Sequence, residues 1–390
     1  LAHRGLDVSL VEMLDQVMAP LDFELAQLLH ENIIQNGVDL RLGDGVDSFE
    51  DTGSSVMVTL KSGAKIEADI VVLSIGIRPN NSLAKEAGLE LTERGAIKTG
   101  KDMRTSDPSI YAVGDVAGVN DFVFDEPAMV PLAGPANKQA RIAADVIAGE
   151  GGEYRGTQGT SVAQVFDLTA VSTGSNEKSL IQRGLEKGKD YQTILVRQNS
   201  HAGYYPGAEP MFMKMIFSMD GKKIYGGQIV GGLGSDKRID TLSVAMRLGA
   251  SVEDLQHLEM AYAPPYSSAK DPVNMLGYVA ENVLSGKVRF TDWDGLEKNP
   301  DALILDVRKE SERTGYSIPG AVEVTLEELR DKLPSLAIPK DRKILIICSI
   351  GVRSYNAARI LMQMGYENVL SYPCGTGFYR STHYKGNLKR

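Results

Sequence analysis

Cys348 is the residue of this chain whose surroundings are best suited to chemistry. It ends the apolar run KILIIC at residues 343–348, and a loop containing Gly351 and Arg353 leads from it into an amphipathic helix. This order points one thiol at loop N–H groups and at a helix N-terminus, and both stabilise a thiolate or persulfide anion. The sequence therefore predicts a nucleophilic cysteine.

The only other cysteine is Cys374, in the segment PCGTG. Two cysteines exclude a disulfide scaffold and a zinc site made of four cysteines, and we predict no metal site. Cys374 is either a resolving partner that forms a disulfide or polysulfide link with Cys348, or a passive small residue beside a glycine turn. We favour the passive role.

Composition limits the classes of protein to which the chain can belong. Its 390 residues, 43% hydrophobic and 24% charged, are enough for two or three domains with their own cores. A formal charge of -9 with scattered Lys and Arg argues against a nucleic-acid partner. The sequence shows no apolar run of roughly 18 to 20 residues and no signal-peptide layout, so we expect no membrane partner and a cytoplasmic location.

The N-terminal part has the pattern of a Rossmann-like unit. LDVSLVE (6–12) predicts a strand ending on Glu12, residues 21–37 predict a helix that stops at Gly37, and ADIVVLSIGIRPN (68–80) predicts a buried parallel strand leaving through Gly76. A carboxylate at such a strand end can pair with ribose hydroxyls and repel an added phosphate, which favours NADH over NADPH. An ordinary exposed strand end is an equal alternative for Glu12.

Gly114 and Asp115 follow a predicted short strand in TSDPSIYAVGDV (105–116). The carboxylate can accept hydrogen bonds from a sugar-like polyol, and glycine allows a ligand to approach the backbone closely. Taken alone, a Gly-Asp pair is also a common turn.

Together, IGIRPN (75–80), IYAVGDV (110–116) and the helix from Pro131 resemble the pyridine nucleotide-disulfide oxidoreductase family. The resemblance implies that Gly114 and Asp115 bind the ribityl chain of FAD, with Gly76 also at the cofactor.

Two further stretches, HAGYYPGAEPM (201–211) and AYAPPYSSAKD (261–271), resemble the dimerisation domain of coenzyme A-disulfide reductases and their NADH oxidase relatives. This resemblance implies a homodimer in which Tyr204 and Tyr262 reach the active site of the other subunit. A tyrosine hydroxyl there suits proton delivery to a departing thiolate, and Lys270 suits an anionic phosphate or carboxylate of the substrate. The alternative is that these aromatic residues and prolines only pack a dimer interface.

The C-terminal part reads as a small parallel α/β domain. LILDVR (303–308) and SIPGAVEV (317–324) predict strands, TLEELRDKL (325–333) predicts a helix opened by a Thr325–Glu328 capping box, and residues 354–365 predict an amphipathic helix. This order resembles a single rhodanese domain, which implies that Cys348 takes up a sulfane sulfur and that Arg353 closes the loop against the anion.

The rhodanese resemblance has departures. Ser317 and Glu323 stand where many relatives carry His and Asn, and Cys374 stands where glycine is common. These departures bear on which sulfur donor is used. An inert domain kept for docking is the alternative to a catalytic one.

The predicted fold class is α/β, with a partial Rossmann-like FAD/NAD(P)-binding region, an α+β dimerisation domain and a small parallel α/β rhodanese domain. The expected boundaries are 1–75 for the NAD(P)-binding remainder, 76–152 for the C-terminal part of the FAD-binding domain, 153–290 for the dimerisation domain and 297–385 for the rhodanese domain.

The resemblance implies a reductase, dependent on FAD and NAD(P)H, of coenzyme A disulfide or persulfide, fused to a sulfurtransferase. We expect an N-terminally truncated chain, without the first FAD motif and the flavin-facing cysteine, that binds FAD weakly if at all. Two alternatives stay open: an NADH oxidase or peroxidase with the rhodanese domain as redox sensor, and a non-catalytic thiol-binding module.

Overall fold

Short strands and helices alternate along the whole chain. The structure is a computed structural model, and it describes residues 1–384 and 386. The strands are β1 Ser9–Glu12, β2 Asp39–Leu42, β3 Val46–Asp51, β4 Val56–Leu60, β5 Lys65–Ala68, β6 Ile97–Lys98, β7 Ala117–Asn120, β8 Pro127–Ala128, β9 Ser161–Val165, β10 Leu168–Gly174, β11 Tyr191–Asn199, β12 Pro210–Ser218, β13 Ile224–Gly231, β14 Leu303–Asp306, β15 Val322–Glu323, β16 Ile344–Ile347 and β17 Val369–Ser371.

The α-helices follow the same order. They are α1 Phe23–Gln35, α2 Ser82–Glu86, α3 Ala133–Ile147, α4 Glu177–Gln182, α5 Ser235–Arg247, α6 Val252–His257, α7 Pro272–Leu284, α8 Gly295–Lys298, α9 Glu310–Arg313, α10 Leu329–Lys332, α11 Val352–Gln363 and α12 Gly375–Thr382. Three 3₁₀ turns accompany them, at Ala2–Arg4, Gly114–Val116 and Leu333–Leu336.

The N-terminal strand, helix and strand form the predicted βαβ unit. Strands β1 and β2 pair in parallel, with α1 between them in the chain. Leu25, Leu29 and Ile33 recur every four residues of α1, so they share one face, and all three are buried. The helix ends just before Gly37, whose φ of 80° lies in the left-handed region that glycine adopts easily.

The strand predicted over residues 68–80 is wrong. Strand β5 ends at Ala68, and the apolar residues that follow are exposed: Ile70 by 79%, Val72 by 71% and Ile75 by 88%. A parallel strand needs hydrogen-bonding neighbours, and none of the strands in the described residues pairs with this segment. Gly76 lies within it, at a φ of 86°.

The short strand predicted before Gly114 is also absent from the described residues. Tyr111 makes only an isolated antiparallel bridge with Arg104, and the chain enters a 3₁₀ turn at Gly114. The reason is local, because a tight turn that joins Met103 to Ala112 uses the backbone groups that a strand would need. Strand β7 begins only afterwards, at Ala117.

The middle of the chain forms a five-stranded antiparallel sheet in the order β11-β12-β13-β10-β9. Met211, Met213 and Met215 alternate along β12 and are fully buried in a core shared with helices α5 and α7. This sheet with helices α5 and α7 agrees with the α+β dimerisation domain in the predicted fold class.

The C-terminal part contains a four-stranded parallel sheet in the order β15-β14-β16-β17. Strand β16 is central and entirely buried, as its unbroken apolar run predicts. The predicted capping box is wrong: Thr325 donates to the Glu328 carboxylate at 2.8 Å, but α10 begins only at Leu329. The Glu328 carboxylate also pairs with Lys332 and accepts a backbone hydrogen bond from Thr325, but the Thr325 hydroxyl donates to this carboxylate instead of accepting from the Glu328 N–H.

One apolar core joins the N-terminal, middle and C-terminal parts. It contains Leu25 and Leu29 of α1, Val230 of the antiparallel sheet, and Tyr372 and Phe378 of the C-terminal part. This packing places α1 against α12 and joins the three parts of the chain. Among the described residues, no helix is both long enough and apolar enough to cross a membrane.

Candidate active site

The buried thiol of Cys348 lies at the carboxyl end of the central parallel strand, directly after Ile347. The backbone N–H of Gly351 donates to its Sγ at 3.1 Å, and Ser354 Oγ lies 3.7 Å from the same sulfur. Gly351 adopts a φ of 101° and α11 begins at the next residue, so the loop turns sharply into a helix of 12 residues. A negative charge on this sulfur therefore faces an amide donor and a helix N-terminus.

Three side chains hold the loop after Cys348, and we call Ser349, Glu312 and Arg353 the loop cluster. Arg353 makes a two-pronged ion pair with Glu312, in which Nη1 meets Oε2 and Nη2 meets Oε1, both at 2.6 Å. Ser349 Oγ donates to Glu312 Oε1 at 2.6 Å, and Arg353 Nη2 lies 3.1 Å from Ser349 Oγ. Hydrogen bonds from Arg353 and then Ser349 hold the pKa of Glu312 well below its usual value.

Glu312 was missed by reasoning from the sequence. It lies in the polar segment KESER, 41 residues before the arginine that it binds, and no periodicity marks it. Its position depends on a buried ion pair at the end of β14, where Arg308 contacts Asp306 at 2.7 Å. The same guanidinium donates to the backbone oxygen of Glu312 at 3.2 Å, which fixes the turn carrying this carboxylate.

Gly375 makes the closest backbone approach to the loop. A Cβ added there would lie 2.3 Å from the carbonyl carbon of Ser349 and 2.4 Å from the carbonyl oxygen of Cys348. The residue also has a φ of 76°, so glycine is required both for conformation and for space. The neighbouring N–H of Thr376 donates to the Cys348 carbonyl at 2.8 Å and anchors α12 to the loop.

Cys374 is buried in the apolar core beside this glycine, and both cysteines are free thiols. Burial raises the pKa of the Cys374 thiol well above its usual value, although the nearby Arg197 partly opposes this. A thiol that resists ionisation is a poor attacking or resolving group. The geometry therefore supports the passive role that we favoured from the sequence.

The structure brings two of the predicted site residues, Tyr204 and Tyr262, into direct contact. Their hydroxyl oxygens lie 3.1 Å apart, although the residues are separated by 58 positions in the chain. The hydrogen bond with Tyr204 raises the pKa of Tyr262. Both side chains are exposed, Tyr204 by 77% and Tyr262 by 47%.

A cavity of about 300 Å³ separates the antiparallel sheet from the loop after Cys348. Arg197 and Lys270 provide its positive charges, and Lys270 Nζ also lies 6.0 Å from the ring of Tyr278. No aspartate or glutamate is among the residues that line it. The cavity thus favours an anionic occupant, and one wall of it is the loop segment Ile350, Gly351 and Val352.

The remaining predicted cofactor residues lie elsewhere. The Gly114 N–H donates to the amide oxygen of the buried Gln139 on α3 at 2.7 Å, while the Asp115 side chain is exposed. Glu12 ends β1 as predicted, and its carboxylate accepts a hydrogen bond from the Leu14 N–H at 2.8 Å. That bond leaves one carboxylate oxygen of Glu12 for a ligand.

A second charged group lies where the three parts of the chain meet. We call Lys214, Asp22, Glu24 and Glu177 the junction cluster. The Lys214 side chain is 2% exposed, and its ammonium contacts Asp22 at 2.9 Å and Glu24 at 2.5 Å and also binds Glu177. The sequence analysis missed it, although a single lysine in the apolar strand PMFMKMIFS was a usable signal.

Three carboxylates share one cation in the junction cluster, and the pKa values of two of them, Glu24 and Asp22, are shifted in opposite directions. Burial raises the pKa of Glu24 despite the pull of Lys214. Burial also acts on Asp22, but Lys214 and hydrogen bonds from Glu177 and Gln228 hold the pKa of Asp22 below its usual value. Their oxygens lie close enough for a metal ion, yet the ammonium already occupies the space between them, so the cluster is structural.

Comparison with protein families divides the chain into three matched regions. Residues 1–140 match the pyridine nucleotide-disulphide oxidoreductase family, and residues 160–272 match the dimerisation domain of the same family. Residues 293–377 match the rhodanese-like domain.

Individual relatives agree with these matches. Coenzyme A disulfide reductase from Staphylococcus epidermidis is 34% identical to this chain. The matched region covers 72% of this chain and 62% of the length of that protein, so this chain spans less than two thirds of that relative. Among solved structures, reduced Bacillus anthracis CoADR-RHD is 46% identical to this chain and superposes with a TM-score of 0.92. The match covers 98% of this chain and 68% of the CoADR-RHD chain. An NAD-dependent persulfide reductase from A. fulgidus is 36% identical with a TM-score of 0.88, over 97% and 68% of the two chains.

Proposed function

The chain belongs to the pyridine nucleotide-disulphide oxidoreductase family, and on that premise we propose that it works in an NADH-dependent reductase of coenzyme A disulfide or persulfide, with an attached sulfurtransferase domain. The substrate classes come from the names of the relatives. The single observation that carries the sulfur chemistry is the buried Cys348 Sγ held 3.1 Å from the Gly351 N–H.

The geometry of the loop supports sulfur transfer at Cys348. The thiolate attacks the outer sulfur of a persulfide anion, RSS⁻, a new S–S bond forms to Cys348, and the old S–S bond breaks as RS⁻ leaves with its electron pair. Charge and sulfur balance without any external oxidant or reductant. The Gly351 amide and the N-terminus of α11 then stabilise the persulfide that remains on the protein.

The residues expected at the flavin fit such a group. Gly114 leaves its backbone open, and Asp115 presents an exposed carboxylate beside it for the ribityl hydroxyls. Glu12 offers its second carboxylate oxygen to the ribose of NADH, which supports NADH over NADPH. FAD, when bound, would transfer electrons from the nicotinamide to a disulfide or persulfide. The domain boundaries given above remain part of this proposal.

The tyrosine pair is proposed to act across a homodimer. The dimerisation-domain match and the exposure of Tyr204 and Tyr262 support this role, because exposed hydroxyls on one subunit are free to meet a substrate held by another. The Tyr204–Tyr262 hydrogen bond fixes one hydroxyl to deliver a proton to a departing thiolate. Lys270 attracts the anionic groups of coenzyme A into the cavity beside the loop.

The same cavity supports a coupling of disulfide or persulfide reduction to sulfur transfer at Cys348. A thiol with an anionic tail that is anchored near Arg197 and Lys270 has the wall formed by Ile350 and Gly351 within its reach.

The proposed compartment is the cytoplasm, where buried thiols such as Cys348 and Cys374 stay reduced. An NADH oxidase function is not favoured, because both solved structures above match nearly the whole chain, including its rhodanese-like region.

Labelled sulfur tests the sulfurtransferase proposal directly. The chain is incubated with glutathione persulfide carrying ³⁵S in its outer atom, and protein-bound label is counted before and after cyanide. We expect one label per chain in the wild type and in Cys374→Ser, and none in Cys348→Ser. Equal labelling of wild type and Cys348→Ser would leave only a thiol-binding module.

A further inference from the structure

The charge of Arg353 is already neutralised within the protein, and this has a consequence for the sulfur donor. We propose that Glu312 is a positioning residue that commits Arg353 to holding the loop, so that Cys348 favours persulfide donors over sulfur oxyanions such as thiosulfate. The inference rests on the proposed sulfurtransferase function. It adds a residue and a donor preference that the resemblance to rhodaneses does not assign.

The geometry shows how completely the guanidinium is engaged. Both terminal nitrogens of Arg353 meet Glu312 oxygens at 2.6 Å, and one of them also lies 3.1 Å from Ser349 Oγ. Glu312 accepts a further hydrogen bond from the Lys309 N–H at 3.0 Å, so the carboxylate is held from its own helix as well. A two-pronged pair of this kind fixes the orientation of the guanidinium as well as pairing its charge.

The balance of charge then separates the two donor classes. Thiosulfate carries two negative charges, and it transfers its outer sulfur by breaking the S–S bond as sulfite leaves with the electron pair. The reacting group of a persulfide carries one charge and releases a thiolate, and the carboxylates of glutathione persulfide lie several bonds away from that group. The Arg353–Glu312 pair has no net charge, so the second charge of thiosulfate finds no free cation in the loop cluster.

Removal of the Glu312 charge should free Arg353. In Glu312→Gln, we expect the ratio of kcat/KM for thiosulfate to kcat/KM for glutathione persulfide to rise about tenfold over wild type, mainly through a lower KM for thiosulfate. Glu310→Gln is the matched control, because Glu310 lies on the same short helix and is exposed. It should keep the wild-type ratio within about twofold. Arg197 and Lys270 are unchanged in both variants.

A double variant distinguishes charge from general disorder of the loop. Glu312→Gln combined with Arg353→Gln restores zero net charge, so its donor ratio should return to about the wild-type value even if kcat falls for both donors. Should Glu312→Gln fail to fold by circular dichroism, Arg353→Gln alone leaves Glu312 unpaired and should lower the ratio below wild type.

The outcomes separate this inference from the function on which it rests. If wild type takes sulfur from neither donor, the sulfurtransferase proposal fails. If wild type is active and Glu312→Gln has the same donor ratio as Glu310→Gln, only the role of Glu312 is overturned. A ratio that stays raised in the double variant would likewise overturn it.

Discussion

The loop cluster and the junction cluster both pair carboxylates with a cation, but they differ in burial and in role. In the loop cluster one carboxylate meets one guanidinium, with 33% of the Glu312 and 23% of the Arg353 side chain exposed. In the junction cluster three carboxylates surround Lys214, which is 2% exposed. The first holds a short loop beside the thiol of Cys348, and the second fastens α1 to the antiparallel sheet.

The difference teaches that burial and the number of charges decide what an ion pair contributes. Water screens the partly exposed loop cluster, so its contribution to stability is small and its effect is mainly on position. The junction cluster is desolvated, so removing its cation leaves carboxylates that water cannot reach. Four predictions test this contrast.

The largest effect is expected at Lys214. Lys214→Met should lower the free energy of unfolding by about 3–5 kcal/mol, because it leaves uncompensated buried carboxylates. Urea denaturation followed by the fluorescence of Trp293 measures this, since this single tryptophan lines the cavity beside Lys214. Lys222→Met, an exposed lysine on the adjoining turn, is the control and should change little. A loss no greater than in this control would refute the contrast.

The next effect concerns the backbone behind the loop cluster. Gly375→Ala should cost about 1–3 kcal/mol from its positive φ alone, and the clash with Ser349 should displace the loop and abolish labelling of Cys348. Gly377→Ala on the same helix meets nothing within 4 Å and should remain active. Normal sulfur uptake by Gly375→Ala would show that the loop position is not critical.

Glu24 of the junction cluster and Glu312 of the loop cluster should respond to pH with opposite signs. Burial raises the pKa of Glu24 above 4.5, so the folded chain binds the extra proton and stability falls as pH rises from that value. Glu312 has a lowered pKa, so its contribution is present above pH 4.5 and is lost only as pH falls below it.

Neutral variants isolate these contributions. Relative to wild type, Glu24→Gln should gain stability as pH rises above 4.5, whereas the difference between Glu312→Gln and wild type should stay constant from about pH 5 to 8. Urea midpoints at several pH values measure both. The same pH profile for the two variants would remove the distinction between the clusters.

The smallest effect is expected for the Glu312–Arg353 pair itself. A double-mutant cycle with Glu312→Gln and Arg353→Gln should give a coupling free energy below about 1 kcal/mol, because both side chains are partly exposed. A coupling as large as the loss in Lys214→Met would mean that the loop cluster contributes to stability like a buried pair.

Much of the fold could be predicted from local pattern. The helix over α1, the antiparallel sheet and the strand before Cys348 were all visible, because each buries its own apolar face. The strand over 68–80 was wrong because an apolar run specifies a preference for burial, while a strand also needs partners. The strand before Gly114 failed for a related reason, since a local turn had taken its hydrogen bonds.

The sequence by itself determined the candidate reactive groups. The thiol of Cys348 and the Gly-Asp pair at 114–115 were recognisable by type and spacing, and the tyrosines at 204 and 262 by their resemblance to a known dimerisation domain. Only the tertiary structure decided which charges stand beside them. Glu312 and Lys214 find their partners through contacts between distant segments, 41 positions away for Arg353 and 190 for Glu24. Local pattern does not encode such pairs, because the desolvation and geometry that select them exist only once the chain is packed.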